Sequence, residues 1–111
     1  LVEHGADINT KTSYGISPLV TAIYENNDIL VEYLLNHGAN VNEKSEDDGT
    51  PLHYAIAILT LNKYKSVNIV NNIIESGANL NIKNISGNTP LLLAIKVGDM
   101  ELIEKLKKRG A

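Results

Sequence analysis

The sequence predicts an all-α fold, a solenoid of helix–turn–helix units joined by β-hairpin-like loops, and three observations predict it. The pair Gly-Ala recurs at Gly5-Ala6, Gly38-Ala39, Gly77-Ala78 and Gly110-Ala111, at intervals of 33, 39 and 33 residues. A second marker recurs in phase, at Ser17-Pro18-Leu19, Thr50-Pro51-Leu52 and Thr89-Pro90-Leu91, with intervals of 33 and 39. Between the markers, Leu30, Val31, Leu34 and Leu35 fall on one helix face, and Ile69, Val70, Ile73 and Ile74 repeat that spacing 39 residues on. Two independent markers that share a period and a six-residue excess define an internal repeat.

Each marker has a mechanical reading. Ser or Thr before Pro is a helix start, because the hydroxyl accepts an orphan backbone N–H and Pro sits where no donor is needed. Gly after an apolar run is a helix end, because it takes the left-handed position that a Cβ disfavours. The first unit therefore reads as helices over about 18–25 and 28–36, broken at Glu25-Asn26-Asn27. The third reads as helices over about 90–97 and 100–108, broken at Gly98-Asp99. Ala22, Ala55 and Ala94 stand four residues past each Pro, small where helices approach closely. The loops Asp7-Ile8-Asn9, Asn40-Val41-Asn42 and Asn79-Leu80-Asn81 each set one apolar residue between polar ones, as in a hairpin that dips one side chain inward. In the middle unit the excess falls within Leu59–Tyr64, which predicts either a first helix that runs on by more than a turn or a protruding loop over Thr60–Tyr64. Short insertions in turns cost little.

The totals narrow the class. A chain of 111 residues makes one small domain, and 43% apolar with 21% charged residues is a globular composition rather than a disordered one. No run of about 18 apolar residues predicts a membrane span, and the first residues lack the pattern of a signal peptide. Leu1 without a preceding Met reads as a chain cut from something longer. A net charge of −3 with both signs interspersed argues against nucleic acid, since no basic stripe appears before the last turn. Zero cysteines remove disulfides, thiolate metal sites and Cys nucleophiles, and fit a reducing, cytoplasmic setting. The 14 Asn and 13 Ile read as compositional drift in an A/T-rich genome, with Asn well suited to turns.

The string Asp48-Gly49-Thr50-Pro51-Leu52-His53-Tyr54-Ala55 resembles the ankyrin signature, and Asn36-His37-Gly38-Ala39-Asn40-Val41-Asn42 resembles its closing segment. The resemblance covers essentially the whole chain and implies an ankyrin-repeat solenoid: 1–6 as the end of a preceding repeat, 7–39 as a repeat, 40–78 as a repeat with the insertion, and 79–111 as a repeat with features of a cap. Val20 and Leu92 replace the His found at His53, the expected loop Asp is Thr12, Ser45 and Asn84, and Asp48 takes the place of the loop Gly. These departures weaken the consensus hydrogen bonds and leave the fold intact. The Asn/Ile drift, Tyr54 after the signature His and the lengthened middle unit are similar to poxvirus ankyrin proteins. Members of that group act on host factors, and many carry a C-terminal F-box-like segment that recruits a ubiquitin ligase. No such segment stands in these residues, so that activity is not carried over.

The resemblance implies a protein-binding module, and no cofactor or metal. The enzyme alternative needs convergent acid, base or nucleophile groups, which the repeat pattern does not supply. His53 reads as the family's inter-repeat tie, and His4 and His37 as groups that suit a helix C-terminus. Lys105, Lys107, Lys108 and Arg109 read as compensation of the last helix's negative end, with Lys107 standing where Leu35 and Ile74 stood, as a cap needs. Glu43, Glu46, Asp47 and Asp48 read as a solvated turn that could face a basic patch, and Asn84-Ile85-Ser86 as a chance glycosylation motif. The family's concave surface of loop tips and inner-helix positions maps here to Ser13, Tyr14, Ile16, Tyr24, Glu25, Glu46, Asp47, Ala57, Ile58, Ile85, Ser86, Asn88, Lys96 and Val97. Tyr14, Tyr24 and Ile58 are the expected anchors, with a monomeric chain and another protein as partner. Alternative settings are the substrate-recruiting part of a viral ubiquitin-ligase adaptor, or a cellular scaffold.

Overall fold

The computed structural model describes residues 9, 11, 16–58 and 63–111, with the backbone alone over 63–66. Six helices follow in order: α1 (Pro18–Tyr24), α2 (Asp28–Asn36), α3 (Pro51–Ile58), α4 (Lys63–Glu75), α5 (Pro90–Val97) and α6 (Met100–Lys108). No strand occurs among the described residues. Within each unit the two helices pack on each other, α1 on α2, α3 on α4 and α5 on α6. Between units α1 packs on α3 and α3 on α5, while α2 packs on α4. The result is two layers, an inner row α1–α3–α5 and an outer row α2–α4–α6.

The helix ends follow from local chemistry. Ser17 and Thr89 accept the N–H groups of Val20 and Leu92, and Pro follows each at the first helical position. Asn27 and Asp99 cap the outer helices in the same way, accepting from Leu30 and Leu102. The tight turn before each of these caps needs a left-handed residue, which Asn26 (φ 55°) supplies in the first unit and Gly98 (φ 83°) in the third. At the outer-helix ends Ala39 and Ala111 donate back five residues, to Leu34 and Leu106.

The interior is one continuous apolar cluster that runs from Leu19 to Leu106. Ala22, Ala55 and Ala94 have no exposed surface, which is the close inner-row approach their size allows. Val41 and Leu80 turn inward from the loops, as the hairpin-like pattern requires. Leu30 is more exposed than its place on the helix face predicts, whereas its counterparts Ile69 and Leu102 are buried. The extra residues of the middle unit lengthen the outer helix. α3 ends at Ile58, and α4 begins four residues before the start that α2 predicts, which adds about one turn, ~6 Å. Lys63 and Tyr64 are helical rather than part of a loop, and Leu59–Asn62, on which the expected extension of the first helix falls, lie outside the described residues.

Loops and units are tied by repeated polar contacts. The Asn9 side chain accepts the Asn40 N–H at 2.7 Å, and Asn42 accepts the Asn79 N–H at 2.6 Å. Lys11 donates to the Lys44 carbonyl at 2.7 Å, and Ile85 N–H to the Asp47 carbonyl at 2.8 Å. On the outer row, Lys105 donates to Asn71 at 2.8 Å and lies 3.5 Å from Glu75, and Arg109 pairs with the same carboxylate. This pairing holds the Glu75 carboxyl below the usual range, with Arg109 the main cause. Half of the basic run is thus an inter-helix clamp, and Lys107 and Lys108 remain exposed.

Candidate functional site

The loop over 45–49 carries the middle of the expected partner-binding surface. Asp48 adopts φ 60°, the left-handed place that Gly87 fills in the third unit at φ 81°. Asp therefore does the loop glycine's work, as its short polar side chain permits. In the third unit Asn84 holds the turn, accepting the N–H groups of Ser86 and Asn88, both at 3.0 Å. In the second unit Ser45 is too short to do so alone. Asp47 takes over, accepting from Gly49 N–H at 3.0 Å, from the Ser45 hydroxyl and from the Tyr54 hydroxyl at 2.6 Å. The missing consensus acid has moved two residues along the loop.

Tyr54 is the residue that sequence reasoning left out of the site. Its ring meets that of Tyr24 at a centroid distance of 5.4 Å, tilted by 48°, so the aromatic pair bridges α1 and α3. Burial and then the Asp47 carboxylate push the Tyr54 phenol up to about 12, and burial, assisted by Asp47, raises that of Tyr24. The hydrogen bonds from Ser45 and Tyr54 in turn lower the Asp47 carboxyl. At neutral pH the site holds two neutral phenols beside an ionised carboxylate. Tyr24 keeps 57% of its surface exposed while Tyr54 is half-buried.

The other residues divide by exposure. Glu25, Glu46, Asp47, Ala57, Ser86 and Lys96 are exposed, and Ile85 stands out at 72%. Ile16, Asn88 and Val97 are half-buried, and Ser13 and Tyr14 lie outside the described residues. Ile58 corrects the expectation. At 7% exposure it belongs to the core, because it follows Pro51 and Ala55 on the buried stripe of α3 at i+4 and i+7. Asn88 is also structural in part. Its carbonyl accepts from His53 Nε2 at 2.9 Å, and its side chain accepts from Lys96 at 3.0 Å.

His53 itself is 3% exposed and links two units. Nδ1 accepts the Thr50 N–H at 3.0 Å, which leaves the proton on Nε2 for the Asn88 carbonyl. Burial lowers its pKa, against the raising effect of that hydrogen bond. A ring with both nitrogens engaged and little access to solvent is a tie. His37 donates from Nδ1 to the Tyr33 carbonyl at 2.7 Å and stacks on the Tyr33 ring, as a helix C-terminus invites.

The acidic tract is not uniformly solvated. Glu46, Asp47 and Asp48 are exposed, but Glu43 is only 5% exposed and accepts from the buried Ser17 hydroxyl. The third unit is also mixed. Lys107 is exposed where Leu35 and Ile74 are partly or fully buried, whereas Leu92 and Ile95, at 42% and 51%, stand where Val20, Ile23, His53 and Ile56 are buried. Among the described residues no acid or His cluster could hold a metal, and no helix is long and apolar enough to cross a membrane.

A family model for ankyrin repeats in three copies matches residues 1–84, and a single ankyrin-repeat model matches 86–111. An ankyrin repeat protein of fowlpox virus (strain NVSL) is 40% identical over 81 residues, 65% of this chain and 24% of its own length. The human Arf-GAP with coiled-coil, ANK repeat and PH domain-containing protein 2 is 37% identical over 57 residues, 50% of this chain and 7% of its own. The potassium channel AKT1 of Arabidopsis thaliana is 41% identical over 51 residues, 46% of this chain and 6% of its own. The chain thus matches under a quarter of the length of each of these relatives.

Proposed function

The chain belongs to the ankyrin-repeat family, and from that premise we propose that it binds a partner protein, without catalysis, as a viral host-interaction module. Ankyrin repeats are protein–protein interaction modules. The observation that carries the reading is the Tyr24–Tyr54 pair, a wide aromatic surface rimmed by Glu25, Glu46 and Asp47. Exposed aromatics with a polar rim have the make-up of an interface hot spot. Ile85, Ser86, Ala57 and Lys96 extend the surface along the stack. The likeness to the fowlpox protein supports a viral setting, in which the module works as a monomer in the host cytoplasm.

Tyr24→Ala tests the surface. Partner capture from host-cell lysate by the wild-type chain, followed by affinity measurement on the captured protein, should show a loss of about 1–2 kcal/mol for the variant. Its thermal midpoint should stay near that of the wild type, because Tyr24 is mostly exposed. Unchanged affinity would remove the aromatic pair from the interface, and an equal loss of stability would make it part of the core.

A further inference from the structure

Glu43 stands at the seam between the first and second repeats, where the chain has no histidine to spare. In the second unit His53 satisfies the buried Thr50 and reaches across to Asn88 of the third. The first unit has Val20 at the place of His53 and Ser17 at that of Thr50, so the buried Ser17 hydroxyl has no ring to meet. The carboxyl that meets it comes from the next loop: Ser17 donates to Glu43 Oε1 across 26 residues of chain. The third unit has the apolar Ile82 at the position of Glu43, so the loop backbone does not require an acid there.

The second carboxyl oxygen decides the chemistry. Glu43 Oε2 is buried and makes no hydrogen bond among the described residues. The surrounding charges do little to balance it. The Ser17 hydrogen bond and then the charge of Lys11, from the preceding loop, draw the carboxyl toward ionisation, but burial opposes them more strongly. The ion pairs of the described residues join α4 to α6, away from this seam. From α1 the group facing Glu43 is the neutral Ser17; on its own loop Lys44, Glu46 and Asp48 are exposed, and the Asp47 carboxylate is turned to Ser45, Gly49 and Tyr54. The buried His53 faces Thr50 and Asn88.

We propose that Glu43 is a proton-operated latch between the first two repeats: neutral, it closes the seam on Ser17, and ionised, it leaves an unbalanced buried charge that loosens it. A buried carboxylate with one orphan oxygen carries a desolvation cost that protonation removes. Burial is likewise the largest influence on Glu43 and raises its pKa above the ordinary 4.5. A group whose folded pKa lies above its unfolded value contributes its stability at low pH and loses it as pH rises through the folded value. Docking of α1 and α2 on α3 and α4 is therefore firmest in mildly acidic solution and eases toward neutrality. This inference does not depend on what the concave surface binds.

Glu43→Gln isolates the effect, because the amide oxygen still accepts from Ser17 and cannot ionise. Thermal melts of the chain at about pH 5 and about pH 7.5, taken against those of the variant, read the linkage. The expected result is that the wild type loses midpoint relative to the variant as pH rises, with a slope of up to one proton. The side-chain carboxyl carbon of Glu43, followed by NMR in the wild type, should titrate above 4.5. That measurement stands even where the variant fails to fold. A wild-type carboxyl titrating at or below 4.5, or a Gln variant with the wild-type pH profile, overturns the latch.

Discussion

Gly49 occupies a place where a methyl group has no room. A Cβ there would meet Asp47 Oδ1 at 2.9 Å and the Tyr54 ring and hydroxyl at 3.0 and 3.1 Å. Gly49→Ala should therefore break the Asp47–Tyr54 contact and cost roughly 1–3 kcal/mol in urea denaturation. The left-handed residue of this loop is Asp48, which takes the loop glycine's place as the signature reading has it, and Gly49 serves close approach. His53 gives a second residue-scale prediction. Its folded pKa lies below the ordinary 6.5, so the unfolded chain takes up the proton first as pH falls. The contribution of His53 is present above 6.5 and declines below it, and His53→Gln should flatten that part of a stability–pH curve. His53 and Glu43 thus slope in opposite directions at adjacent seams. The histidine was legible because its motif is intact. The burial of Glu43 was not, since it follows from what Ser17 lacks across the seam, and a run of acids by itself reads as solvated.

Helix positions were the most legible part of the chain, because their start and stop signals are chemical. Ser17, Asn27, Thr89 and Asp99 all cap as their side chains allow. Thr89→Ala should cost about 1 kcal/mol and lower the thermal midpoint by several degrees, since Leu92 N–H loses its acceptor. What the pattern left ambiguous was the middle unit, whose insertion carries no cap motif. The pattern allowed a longer first helix or a protruding loop, whereas α4 takes up a turn of the excess by starting at Lys63. The same limit explains Ile58, where loop-side position suggested exposure and the Pro51–Ala55 stripe enforced burial. Tyr54 escaped for the converse reason. Its role depends on a ring in another unit.

Across the whole molecule, stability is shared between units and seams, as in any stack of repeats. The middle unit has neighbours on both sides, so damage there is felt twice. Ile56→Ala, at a fully buried site on α3, should cost about 2–5 kcal/mol and leave little folded protein, as far-UV circular dichroism would register. Stacking order was legible from the markers alone. The exposure of Leu30, Leu92 and Ile95 was not, because all three are apolar like their buried counterparts. Nor was the groove between α4 and α6, about 450 Å³ and lined by Val67, Met100 and Lys105 among others, which opens where those two helices meet through polar side chains.

The asparagine contacts between successive loops have a consequence for how such a chain can change. Asn9 reads the backbone of Asn40, and Asn42 reads the backbone of Asn79; in neither contact does the neighbour's side chain take part. Recognition of this kind is one-sided. A unit that keeps its own asparagine can make this one contact with a successor loop of almost any sequence, so duplication, loss or exchange of whole units leaves it intact. The loop tips are then free to vary, and a surface that meets other proteins can drift while the ladder beneath it stays in register.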